Sequence, residues 1–213
     1  MKKVQILDVY PNKNFRISKD QNGGYGTAND YGDNLILKIL SLYIKKNIDY
    51  PPLFAVHAIA ELRKKSFVVD YSRKLNTKED CNLYVIPSSI VCYETEKETV
   101  KKLVSLNKKV FVIGPFASSK PELYYKYGAK VISGEAEFYL KDFDQKKLDN
   151  FESLPNIIYH NHNYDLNDLE FPAWDIVIKK IKPVMKLLGS GTTIPINASR
   201  GCPYSCYYYC TYP

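Results

Sequence analysis

Short, continuously apolar runs recur along the first two thirds of the chain, each followed by turn residues and a stretch with helical spacing. Residues 4–9 (VQILDV), 66–70 (SFVVD), 82–86 (NLYVI), 110–113 (VFVI) and 130–133 (KVIS) read as strands. They are apolar throughout rather than alternating, as expected of strands covered on both faces. Between them, Pro51 and Pro52 open the apolar segment LFAVHAIAELRKK, with Lys64 and Lys65 suited to the negative end of a helix. Thr95 followed by Glu98 is a capping-box pattern, and Val100, Leu103 and Val104 supply an apolar stripe. A short helix is expected near Pro121. Strand–helix alternation of this kind predicts a flavodoxin-like, doubly wound parallel α/β sheet over residues 1–143.

In such a sheet, ligands sit outside the carboxyl ends of the strands. Those ends fall at residues 8–11, 87–89, 114–117 and 133–137, where small and polar residues let a ligand approach the backbone. Residues 10–35 form a long polar loop containing GGYG, which lacks the spacing of a phosphate-binding fingerprint and reads as a flexible turn. Residues 144–190 lose the alternation and read as a linker with a short helix near 174–188. Residues 194–201 (IPINASRG) read as a strand running into a loop, so a further domain is expected to begin in 191–213.

The chain has 213 residues, 45% of them hydrophobic, which is enough to bury an ordinary core. Its formal charge of +7 is spread among acidic residues without a dense basic block, so no nucleic-acid partner is expected. Val4, Ile6 and Leu7 are interrupted by Gln5 and Asp8, so no signal-peptide core follows the first lysines. No run is long enough to span a bilayer, and a cytoplasmic location is the expectation.

Three of the five cysteines crowd into GCPYSCYYYCTYP: Cys202, Cys206 and Cys210. Clustered cysteines in a cytoplasmic protein point to metal or redox chemistry. Three thiolates can hold three irons of a [4Fe–4S] cluster and leave the fourth open. The isolated Cys81 and Cys92 read as core thiols and His57 as a packed helix residue. His160 and His162 read as exposed linker residues, with a Cys/His zinc site as the alternative. Glu135 and Glu137 read as helix-start carboxylates rather than a catalytic pair.

The run Arg200-Gly201-Cys202-Pro203-Tyr204-Ser205-Cys206, followed by Cys210, resembles the cluster loop of radical S-adenosylmethionine (SAM) enzymes. Upstream, PPLFAVHAIAELRKK, VIGPFASSKPE, SGEAEFYL and DLNDLEFPAWDI resemble, in the right order, the cobalamin-binding domain and linker of the branch that carries one. The resemblance implies a cobalamin site at Tyr10, Ser88, Ser89, Gly114, Pro115, Phe116, Ala117, Gly134 and Glu135, and a cluster on Cys202, Cys206 and Cys210. SAM would be a cofactor of the complete enzyme, whose family chemistry is radical methyl transfer or rearrangement. Where many cobalamin domains place a histidine ligand after the first strand, this sequence has Tyr10, which implies cobalamin bound base-off without a histidine on cobalt.

Two features depart from the family pattern. The last two cysteines are separated by Tyr207, Tyr208 and Tyr209, one residue more than in the C-x-x-x-C-x-x-C motif, which moves the third sulfur by up to ~3.5 Å in an extended loop. The sequence also stops three residues after Cys210, whereas a full barrel takes about 250 residues. On this reading the barrel is truncated and its SAM-binding surface is not included. The alternative is a non-catalytic module that binds cobalamin or another small ligand and carries a zinc-binding or inert cysteine tail.

Overall fold

The computed structural model describes residues 1–11, 19–20, 32–47, 51–75, 80–159, 165–179 and 194–196, with the side chains of 42–47 outside that set. Six parallel strands make one sheet: β1 (Lys3–Leu7), β2 (Val68–Ser72), β3 (Leu83–Pro87), β4 (Lys109–Ile113), β5 (Lys130–Ser133) and β6 (Ile157–Tyr159). Their order is β2-β1-β3-β4-β5-β6. The chain steps one way from β1 to β2 and the other way from β3 onward. This is the doubly wound, Rossmann-like α/β arrangement, with its switch point between β1 and β3.

The apolar strand runs bury both faces. Val4, Ile6, Leu83, Val85, Phe111, Ile113 and Ile132 point into one core with α2 (Leu53–Lys64) and α6 (Ala136–Leu140). Their neighbours Leu7, Tyr84, Ile86, Val110, Val112 and Val131 point into the other, with α3 (Tyr93–Ser105) and α5 (Glu122–Tyr125). The period of two along each strand thus feeds two separate layers, as covering a sheet on both sides requires.

Several elements differ from the sequence reading. β2 lies two residues downstream of the expected 66–70. Ser66, with φ of 62°, closes α2 by donating to the Arg63 carbonyl at 2.9 Å, so the strand starts only after that turn. Thr95 and Glu98 do not mark the start of α3. The helix begins at Tyr93, after a 3₁₀ turn at Ile90–Cys92, and the backbone N–H of Ser89 donates instead to Glu96 Oε1 at 3.0 Å. A helix α1 (Leu35–Asn47) also stands where the sequence reading assigned nothing beyond the loop ending at 35. It exposes Leu35, Ile36 and Ile39.

Residues beyond 143 add to the same body. After α7 (Gln145–Asp149), β6 pairs with β5, and Leu148, Phe151, Ile158, Ala173 and Val177 are buried in the first core. α8 (Trp174–Val177) falls within the expected helix, and α2 holds this segment through Arg63 to Asp175 of α8 and Lys64 to Glu170 before it. Residues 194–196 belong to no strand, and the rest of the expected strand and the cysteine loop lie outside the described residues. Among the described residues, no helix is long and apolar enough to cross a membrane.

Candidate functional site at the carboxyl edge of the sheet

Most residues expected to form the site gather at one edge because they follow the carboxyl ends of neighbouring strands. Tyr10 follows β1, Ser88 and Ser89 follow β3, Gly114 to Ala117 follow β4, and Gly134 and Glu135 follow β5. Two hydroxyl contacts tie these loops together and a third braces the segment after β4. Ala117 N–H donates to Ser88 Oγ at 2.9 Å, Ser118 Oγ donates to the Gly114 carbonyl at 2.9 Å, and Gly134 N–H donates to Ser118 Oγ at 2.9 Å.

Burial divides the set. Ser88, Ser89, Phe116 and Ala117 are buried, whereas Tyr10, Pro115, Gly134 and Glu135 are only partly so. Gly114 has φ of 106°, a region open to glycine, and a Cβ there would lie 2.8 Å from the Phe54 ring of α2 and 3.3 Å from Ser88 Oγ. Gly134, with φ of 84°, turns the chain in the same way after β5. We expect Gly114→Ala to cost about 1–3 kcal/mol, from the disfavoured backbone and the displacement of Phe54. Urea denaturation of the two chains checks this.

The sequence reading missed the most unusual feature of the edge. At the switch point, three charged side chains with no exposed surface meet. Lys19 Nζ donates to Glu96 Oε1 at 2.9 Å and to the Pro87 carbonyl at 2.8 Å, and lies 3.1 Å from Asp8 Oδ1. Two hydrogen bonds and one ion pair thus hold the ammonium. The carboxylates have further donors. Tyr71 and Tyr10 hydroxyls donate to Asp8 Oδ2 at 2.6 and 3.0 Å, and the Tyr124 hydroxyl donates to Glu96 Oε2 at 2.6 Å. Arg73 Nε donates to the Tyr71 hydroxyl at 3.2 Å and lies 3.8 Å from Asp8 Oδ2.

Burial alone would discharge Lys19, but Glu96 and Asp8 more than offset it and hold its pKa above the ordinary lysine value. Burial, reinforced by Asp8, likewise keeps the Tyr10 phenol protonated by raising its pKa. Burial pushes the Cys92 thiol up to about 11, so Cys92 is an unreactive core group, as expected. Cys81 is also buried. His57 is a partly buried residue of α2, and Glu137 is buried at the start of α6 while Glu135 precedes that helix.

The rim and the interior of this edge have different capacities. Tyr10, Pro115, Gly134 and Glu135 retain surface that a ligand resting on the edge can touch. The Lys19 side chain occupies the crevice between β1 and β3, with its ammonium between Asp8 after β1 and the Pro87 carbonyl of β3. Two depressions among the described residues lie elsewhere. One is lined by Lys2, Asp80 and Asn107 at the amino ends of the strands, and another by Arg63, Phe171 and Asp175 beside α2. The described residues contain no group of three potential metal ligands, and Cys202, Cys206, Cys210, His160 and His162 lie outside them.

No protein-family model matches this sequence, and no curated protein matches it.

Proposed function

We propose that this chain binds cobalamin on the carboxyl edge of its sheet and carries, in Cys202, Cys206 and Cys210, the cluster loop of a cobalamin-dependent radical SAM enzyme. The observation that carries the cobalamin part is the convergence of Tyr10, Pro115, Gly134 and Glu135 on one rim, beside the switch point of a doubly wound sheet. A bound corrin would rest on this rim, since Lys19 closes the crevice behind it. Among the described residues the rim contains no histidine, and Tyr10, which follows β1, has its hydroxyl engaged with Asp8. Cobalt would thus receive no imidazole from the described part of this edge. Cobalamin supplies methyl-transfer or radical chemistry; the chain's own contribution is to hold it against loops that are already tied together.

The cluster part rests on the sequence of the cysteine loop. A second reading, a small-ligand module whose cysteine tail binds zinc or nothing, is favoured by the filled crevice. The two are separated by anaerobic reconstitution with iron and sulfide, followed by visible absorption. The proposal predicts a broad absorption that falls when Cys202, Cys206 or Cys210 is replaced by alanine. Zinc uptake without visible absorption supports the second reading. Electron paramagnetic resonance of the Co(II) complex is expected to show no nitrogen splitting, and splitting lost in His57→Ala would overturn the histidine-free assignment.

A further inference from the structure

α1 reverses the usual arrangement of a surface helix. A helix packed on a domain ordinarily sends its apolar stripe inward and its polar side to water. Leu35, Ile36, Ile39 and Leu40 of α1 are instead 72%, 73%, 59% and 42% exposed, while Leu37 is partly buried and Ser41 buried. The four exposed positions are spaced i, i+1, i+4 and i+5, so they adjoin on one face, and Leu37 and Ser41 share the other. Among the described residues, no other helix exposes more than two large apolar side chains. The patch is on the order of 400 Å², a size at which exposed apolar surface is often functional.

The charge of the helix selects among partners. Its sequence, LILKILSLYIKKN, holds Lys38, Lys45 and Lys46 and no acidic residue. Asp33, two residues before it, lies 3.4 Å from Lys38, with both side chains exposed. The whole chain carries +7. Two copies joined through α1 would bring like charges together, and the patch is about half of the roughly 800 Å² per partner that a stable protein interface takes. A lipid surface meets both conditions. It needs no complementary shape, since each apolar side chain enters the acyl boundary on its own, and anionic headgroups attract the lysines.

We propose that α1 is a membrane-surface anchor. It lies in the plane of an anionic phospholipid bilayer without crossing it, with Leu35, Ile36, Ile39 and Leu40 in the acyl boundary and the positive charge of the helix drawn to the headgroups. Anchoring needs no rearrangement of the described body, because these side chains already face outward. It does not depend on which ligand the sheet edge binds.

Vesicle flotation of the full chain tests the anchor. Affinity for vesicles of phosphatidylcholine and phosphatidylglycerol in equal parts is expected to exceed that for phosphatidylcholine alone by about tenfold or more. Replacing Ile36 and Ile39 together by serine removes apolar surface without changing charge, and at exposed positions it should leave the urea midpoint unchanged. That variant is expected to lose about tenfold in affinity for the anionic vesicles. Leu106→Ser, exposed after α3, should bind like the unaltered chain. In Leu40→Trp, emission should shift to shorter wavelength on anionic vesicles, relative to the unaltered chain with its single Trp174. The anchor is overturned if the chain does not float, if I36S/I39S floats equally well, or if Leu40→Trp shows no shift. A lipid-free dimer that I36S/I39S converts to monomer, with no vesicle binding, would overturn it in favour of a second copy on this face.

Discussion

Lys19→Met is expected to destabilise the chain by about 3–5 kcal/mol, because it leaves two carboxylates buried without their common counter-charge. Methionine nearly matches the volume of lysine, so packing is largely kept and the loss is electrostatic. Asp8 and Glu96 have no exposed surface through which water could replace the ammonium. Tyrosine hydroxyls still donate to both, but a hydroxyl does not neutralise a charge. The variant should take up protons on folding, so its deficit should shrink as pH falls from 7 to 5. Adding Glu96→Gln should recover part of the loss. Urea denaturation at the two pH values measures both effects. A loss below ~1 kcal/mol at pH 7 would mean that the cluster is hydrated in solution.

Phe111→Ala is expected to cost a similar amount, about 3–5 kcal/mol, for a different reason. Phe111 lies in β4 with no exposed surface, and its ring faces Phe151 at 5.0 Å, Phe143 at 5.2 Å and Tyr139 at 6.2 Å. These partners come from the segment between β5 and β6, so the cavity would loosen the attachment of β6 as well as the core. Hydrogen exchange should show Ile158 losing more protection than Val85. Equal losses at both positions would show that β6 opens only with the whole sheet.

The sheet was legible in the sequence where strands are fully buried. β3, β4 and β5 fall within a residue of the apolar runs at 82–86, 110–113 and 130–133, because covering both faces leaves no polar interruption. β2 was displaced because nothing local signalled that Ser66 would adopt a left-handed turn. The start of α3 was misread for a related reason: Glu96, not Glu98, reaches back to the preceding turn.

The charged cluster was harder to foresee. Lys19 sits in a polar loop, where a lysine is ordinarily solvated, and only its long-range partners bury it. One signal was available. Glu96 shares the helical stripe of Val100 and Leu103, and an acid at that spacing lies on the buried face and needs a cation. Asp8, just after an apolar strand, posed the same requirement.

Titration of the 213-residue chain with hydroxocobalamin, followed by visible absorption, tests the central claim most directly. Binding at the rim of Tyr10, Pro115, Gly134 and Glu135 predicts a saturable spectral change at about one cobalamin per chain. A chain with a folded circular-dichroism signal and no saturable change would contradict it.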